Sequence, residues 1–385
     1  MPLLVNTFQS FGLDIGDRSL KAACIKKRGK DFALESFGEI AIPAGVFLQG
    51  EIQKPSELSA LIVKLLQNIE GKKIRTDYVH ACLPESETFI KLITLDAEEG
   101  SAELPALIRE ELPNHIPMNI DEMYIDWQIL ESDDSKNKST KVLVGAIAKK
   151  ISDSYTSALI NAGLKPLSLQ IEAEPITRSL LPIDATYSHA TAIVDIGATR
   201  ASFICFDKGA IQFTVSIPLS SGSLTALISQ KLSLTMEEAE KAKKICGMDP
   251  ENCEGALVEI LEPSAKNLAL AIQKNINFYT DHFDSSSRIE SIVLCGGGAN
   301  MPGLVRAVEK HLPNINVALG NPLINITKNR RRIYSSSSKK EPLNFLSRDL
   351  LSAPLLAPKN FTSKEHLTYT TAIGLALTNV SEKNT

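Results

Sequence analysis

The chain has 385 residues, 43% of them hydrophobic and 22% charged, a composition of ordinary soluble domains that excludes disordered, collagen-like and coiled-coil proteins. At about 150 residues per domain, that length makes two or three globular units. Lys plus Arg number 41 against 45 Asp plus Glu, a net charge of −4 that gives no general reason to expect a nucleic-acid or membrane-coating protein.

The amino end, Met1 to Asn6, lacks the charged start and long apolar middle of a signal peptide, and no apolar run reaches the roughly 18 residues of a membrane span. A cytoplasmic chain is expected. Residues 13–25 read Leu-Asp-Ile-Gly-Asp-Arg-Ser-Leu-Lys-Ala-Ala-Cys-Ile, which predicts an apolar strand, a tight turn at Asp-x-Gly and a second apolar strand. The amides of such a turn form an anion-binding concavity, and its glycine permits close approach of a ligand oxygen. The aspartate cannot itself bind phosphate, so its expected partner is a hydrated Mg²⁺ that also touches the phosphates.

Ser56–Glu70, with Leu58, Leu61, Ile62, Leu65, Leu66 and Ile69 at helical spacing, predicts an amphipathic helix facing the core. Residues 79–150 hold strands at Val79–Leu83 and Phe89–Leu95, a helix from about Ala102 that Pro113 ends or kinks, and strands at Met123–Leu130 and Lys141–Ala148.

Residues 194–206 read Val-Asp-Ile-Gly-Ala-Thr-Arg-Ala-Ser-Phe-Ile-Cys-Phe. Laid over the first hairpin, they repeat Asp14, Ile15, Gly16 and Cys24 as Asp195, Ile196, Gly197 and Cys205 at one constant offset, so the chain is read as a duplicated half. Thr235 and Glu238 form a capping box that opens a helix stopped by Gly247. On that helix Glu240 and Lys243 share a face, where a carboxylate and an ammonium together could hold ribose hydroxyls.

Ile292–Cys295 predicts a buried strand running into Gly296-Gly297-Gly298, whose bare backbone can lie against a base or sugar. It is not a Walker loop, because Gly303 is followed by Leu304-Val305 in place of Lys and Ser or Thr. Lys328–Lys340, basic and serine-rich, reads as a solvated loop. The six cysteines form no C-x-x-C and read as buried small hydrophobes, and the six histidines have no metal spacing.

Two Asp-Ile-Gly hairpins, a Glu-x-x-Lys helix and a Gly-Gly-Gly turn, in that order, resemble the actin-like ATPase superfamily. From about Phe11 to Leu377 the chain resembles its PilM family of type IV pilus assembly proteins. Ala81–Ser86, Ile116–Glu122, Asp126–Leu130 and Asn161–Pro166 are similar to the family's inserted subdomain and its return to the core. Tyr369–Leu377 is similar to its final helix, which packs back on the first half.

The resemblance implies an α/β fold of two ribonuclease-H-like halves around a nucleotide cleft, with a small α+β subdomain inserted in the first half. The first half would span residues 8–185 with the insertion at about 79–160. The second would span 186–365 with a helical subdomain at about 222–289, and residues 366–385 would carry the closing helix. ATP would meet Gly16, Asp17, Arg18, Ser19 and Lys21 from the first hairpin and Gly197, Ala198 and Thr199 from the second. Asp14 and Asp195 would organise Mg²⁺ through water, Glu240 and Lys243 would reach the ribose, and Gly296, Gly297, Gly298 and Asn300 would line the adenosine. Either Glu172 or Glu174 would orient a water, with at most slow ATP hydrolysis.

The family usually has small hydroxyl residues where this chain has Asp17 and Arg18, and threonine where it has Arg200. An acidic group beside a polyphosphate repels it unless its backbone faces the ligand.

The implied partner is the N-terminal cytoplasmic peptide of a PilN-like membrane protein, with the pilus motor ATPase or platform protein beyond it. A homo-oligomer, ring or dimer, is expected at the inner membrane, reached only through partners and without nucleic acid. The alternatives are a small-molecule kinase of the same superfamily, which needs a general-base loop not found here, and an FtsA-like division protein, which needs an amphipathic end where this chain finishes short and polar.

Overall fold

The computed structural model describes residues 9–378 apart from 30, 49, 85–87, 98–100, 117–118, 131–138, 184–186, 188, 284–286, 327–356, 359 and 362–365. From the amino end come β1 (Phe11–Ile15), β2 (Ser19–Arg28), β3 (Asp31–Ala41), the short pair β4 (Phe47–Leu48) and β5 (Glu51–Ile52), α1 (Pro55–Gln67), β6 (Glu70–Gly71) and β7 (Tyr78–Leu83). Next are β8 (Thr88–Leu95), α2 (Leu104–Glu111), β9 (Met123–Leu130), β10 (Thr140–Ala148), α3 (Lys149–Asn161), β11 (Lys165–Ile171) and α4 (Ala173–Leu180). The second stretch has β12 (Ala190–Ile196), β13 (Ala201–Asp207), β14 (Ala210–Ile217), α5 (Ser221–Leu232), α6 (Met236–Ile245) and α7 (Val258–His282). It ends with β15 (Ile289–Cys295), α8 (Leu304–Glu309), β16 (Asn316–Leu319) and α9 (Thr370–Ala376).

Strands β1 and β12 are apolar on both faces apart from their aspartates and Thr191, as strands inside a covered sheet must be. Each opens an antiparallel meander, β1-β2-β3 and β12-β13-β14, and each pairs on its other side with a parallel strand, β7 or β15. Adding β11 and β16, the same five-strand order appears twice: β11-β7-β1-β2-β3 and β16-β15-β12-β13-β14. The chain therefore folds as two ribonuclease-H-like α/β halves.

The stretch 79–160 divides between layers. Strand β7 lies between β1 and β11, and Ile151, Tyr155, Ala158 and Leu159 of α3 pack into the first core. Strands β8, β10 and β9 extend the second half's sheet, joined to the edge of β14 at Phe213 and Lys91. Helix α2 covers them through Leu104 and Ile108, which pack with Ile93, Val142 and Val144. Pro113 falls in a 3-10 turn, Leu112–Asn114, that follows α2 directly.

Helix α1 starts with Pro55 at its first position and buries Leu58, Ile62 and Leu65, residues three and four apart. Helix α6 carries the expected capping box of Thr235 and Glu238. Helix α9 lies on the first half: Ala372, Ile373, Ala376 and Leu377 pack with Ala23, Ile25, Leu34 and Phe37.

Cys24, Cys82, Cys205 and Cys295 are buried and free, but Cys246 and Cys253 are bonded to each other, which corrects the reading of all six as hydrophobic filling. Cys246 caps α6, and the left-handed backbone of Cys253 and Glu254 turns the chain back so that the two Cα atoms stand 5.4 Å apart. Lys328–Lys340 and Asn379–Thr385 lie outside the described residues. Among those described, no helix is long and apolar enough to cross a membrane.

Candidate functional site

The two Asp-x-Gly turns are built alike. The Gly16 amide donates to the Ser19 carbonyl at 3.2 Å, and the Gly197 amide donates to the Arg200 carbonyl at 2.9 Å. A Cβ on Gly197 would stand 3.1 Å from that carbonyl, which favours glycine there. Both turns open into one cavity of about 450 Å³, which Gly296, Gly297 and Gly298 also line. The three glycine elements, spread across the sequence, thus share a single pocket between the halves.

At its base sit Asp14 and Asp195, each at the end of the first strand of its half. Each accepts a thiol hydrogen bond from the parallel neighbour strand, Cys82 Sγ to Asp14 at 3.3 Å and Cys295 Sγ to Asp195 at 3.5 Å. The register is the same in both halves, because Asp195 is paired with Cys295 and Leu13, one before Asp14, with Ala81. Burial raises the pKa of Asp14 and pushes that of Asp195 up to about 6, with the negative charge of Asp14 adding to the second shift.

A cation between these carboxylates would relieve both burial and mutual repulsion, so the pair fits a Mg²⁺. Among the described residues no cluster of three or more His, Cys, Asp or Glu could hold a metal ion by itself, which leaves water and phosphate oxygens to complete the shell.

The first turn also carries Asp17, whose Oδ2 accepts from Thr199 Oγ1 at 2.6 Å and from Arg200 Nη2 at 3.1 Å, joining the two turns directly. Lys21, on β2, donates to Ser19 Oγ at 2.6 Å and pairs with Glu39 at 3.5 Å. Behind the second turn, the Ser221 and Gly222 amides at the start of α5 donate to the carbonyls of Gly197 and Ala198 at 2.9 Å each.

The triple glycine has divided duties. Gly296, at φ 79°, packs against Asp195, and Gly298 packs against Ile196, so a Cβ fits at neither. Gly297 is exposed, and its nearest neighbour in the Cβ direction is Thr368 at 3.6 Å. It is the one of the three with room for a side chain.

On α6, Glu240 reaches the cavity but Lys243 is not among its lining residues. Lys243 is 4% exposed, and its ammonium donates to Ser221 O, Ser221 Oγ and Thr225 Oγ1 and pairs with Glu240 at 2.7 Å. Its pKa is lowered by burial, with Glu240 opposing the shift. The neighbouring Lys244 lines the cavity instead.

Glu172 lines the cavity with the turns, as do Arg18, Ala198 and Thr199. Glu174 faces a different cavity of about 290 Å³, between the inserted strands and α4, together with Gln128, Leu143 and Arg178. Asn300 is exposed and is not among the residues lining the main cavity. Cys82, Glu39, Thr368, Thr370 and Thr371 line it without having been expected. The paired threonines of Tyr-Thr-Thr-Ala, polar at the head of an otherwise apolar helix, were the only sequence signal for the last two.

A family profile described as type IV pilus assembly protein PilM matches residues 12–350. The chain belongs to that family. A solved structure described as the PilM-PilN type IV pilus biogenesis complex superposes with a TM-score of 0.76 at 21% identity, over 97% of this chain and 99% of that one. The ethanolamine utilization protein EutJ from Carboxydothermus hydrogenoformans is similar more distantly, with a TM-score of 0.54 at 13% identity over 95% of this chain and 88% of that one. The shared architecture is the actin-like ATPase fold.

Proposed function

We propose that this PilM-family chain is an ATP-binding scaffold of type IV pilus assembly. The observation that carries the reading is the common cavity, with both Asp-Ile-Gly turns and the glycine turn on its walls. Gly16 to Ser19 and Gly197 to Thr199 would hold phosphates, with Lys21 beside them. Glu240 and Lys244 would meet the ribose, and Gly297 would face the adenosine. Asp14 and Asp195 would hold Mg²⁺ through water, and the ion would supply charge neutralisation at the phosphates. Glu172, on the wall of the same cavity, would orient a water, with slow hydrolysis at most.

The partner in this reading is the N-terminal cytoplasmic peptide of a PilN-like membrane protein, which ties the scaffold to the inner membrane. Similarity to a PilM-PilN complex supports it. The cavity between the inserted strands and α4, with Gln128 and Leu143 facing Glu174, Arg178 and Tyr187, is the site we assign to the peptide. Helix α4 packs Ile176 and Leu180 into the second half's core and touches α9 where Pro175 meets Gly374, and α9 lines the main cavity with Thr370 and Thr371. Closure around nucleotide would therefore change the groove, provided that the peptide prefers one of the two forms. A homo-oligomeric ring or dimer that passes this change to the motor or platform protein completes the proposal.

Calorimetric titration of a PilN-like N-terminal peptide, with and without Mg-ATP, tests the reading. Affinity that changes with nucleotide supports it. Equal affinity rejects the coupling, and no binding rejects the docking.

A further inference from the structure

We propose that Asp17 is a built-in competitor for the phosphate position of the cleft: it latches the two turns to each other, and it must leave Thr199 and Arg200 before a phosphate oxygen can take those donors. The inference rests on the nucleotide reading above and adds a regulator to the same site.

Three observations carry it. The Asp17 carboxylate, placed on the first turn, bonds the hydroxyl and the guanidinium of the second turn across the cavity that both line. A carboxylate and a phosphoryl oxygen use the same donors, so the two anions exclude each other at Thr199 and Arg200.

Next, the turn itself does not require an acid. The constant offset between the hairpins places Ala198 where the first turn has Asp17, in a turn closed by the same glycine-amide hydrogen bond. The charge on Asp17 is therefore extra to the hairpin and is used between the halves.

Finally, the latch leaves Arg200 incompletely satisfied. Its Nη1 is buried and finds no hydrogen-bond acceptor among the described residues, although the side chain as a whole is 22% exposed. A phosphate, with three acceptor oxygens, can take both ends of the guanidinium fork where the single Asp17 oxygen takes one. The arrangement thus suits exchange of the internal anion for an external one.

The test compares wild type with Asp17→Asn, which keeps the shape and removes the charge, and Asp17→Glu, which keeps the charge. Binding of Mg-ATP and of Mg-pyrophosphate is measured by calorimetry. Amide exchange at the two turns is followed in nucleotide-free protein by mass spectrometry. The proposal predicts that Asp17→Asn binds both ligands at least about tenfold tighter, while exchange at Gly16–Ser19 and Gly197–Arg200 quickens without ligand. Asp17→Glu should stay closer to wild type in binding than Asp17→Asn does.

A merely structural Asp17 would loosen the turns and weaken binding, which overturns the competition. Equal affinities with unchanged exchange overturn the latch as well. If Mg-ATP and Mg-pyrophosphate bind none of the three proteins, the nucleotide reading falls and the competition falls with it. Binding of pyrophosphate alone would keep the competition and remove only the adenosine.

Discussion

Gly374 of α9 lies against the Pro175 carbonyl of α4 with no space between them for a Cβ atom. Gly12 of β1 meets the same helix at Ala372 and Ala376 with equally little space. The closing helix is thus wedged between the first strand and α4, and its Thr370 and Thr371 reach the cavity from that position.

Gly374→Ala should therefore destabilise the protein. Overpacking costs about 1–3 kcal/mol, and the clash here is with backbone, which puts it at the upper end. Better helix propensity returns about 1 kcal/mol, leaving a net loss of about 2 kcal/mol in denaturant unfolding. A variant as stable as wild type would show that α9 is not held between these elements.

Lys243 and Lys244 are predicted to separate stability from ligand contact. Lys243→Met removes the ammonium that joins α6 to Ser221 and Thr225 and leaves Glu240 without its buried partner. A loss of about 2–4 kcal/mol in unfolding free energy is expected. Lys244→Met, at an exposed side chain, should leave stability within about 0.5 kcal/mol and weaken nucleotide binding. The opposite assignment in thermal unfolding and calorimetry would restore Lys243 to the cavity.

The hairpins were legible because continuous apolar runs, glycine and a repeated Asp-Ile-Gly are all local signals. The shared helix face of Glu240 and Lys243 was legible too, since they are three residues apart, and there the two form an ion pair. Its destination was not: periodicity does not say that Ser221 and Thr225 of α5 will stand over Lys243 and close it off from the cavity. The joining of β8 to β14 depends on an edge left free by a distant meander, and no stretch of residues 79–150 encodes that partner. Asp17 looked like a defect in a phosphate turn, because its acceptor role depends on two side chains that approach from the other half.

The Cys246–Cys253 bond is checked by counting thiols. Denatured without reductant, the chain should expose four, the free cysteines 24, 82, 205 and 295, and two more after reduction. Cross-linking so short a loop contributes about 2–3 kcal/mol, so Cys253→Ser should lower stability by about that amount. The bond holds the loop whose Met248 amide donates to Pro302 O at 2.7 Å, just beyond the glycine turn. Six reactive thiols without reductant would contradict the pairing.

Glu174 supplies a pH test. Burial raises its pKa, against the attraction of Arg178 and with the repulsion of Asp126. A carboxyl with a raised folded-state pKa gives its full stabilising contribution below its unfolded pKa and loses it as pH rises through the folded one. Glu174→Gln removes that loss, so the melting temperature of the variant relative to wild type should be higher at pH 7.5 than at pH 4. A difference that shrinks with rising pH would mean that Glu174 is held in its charged form.

The shared cavity is tested most directly by titrating Mg-ATP into wild type and into Gly297→Leu. Position 297 has room for a side chain, so the variant should fold and melt like wild type while the added isobutyl group enters the pocket beside Thr368. One saturable site in wild type, weakened at least about tenfold in the variant, is the predicted result. Equal binding by both proteins, or none by wild type at millimolar nucleotide, would contradict the account.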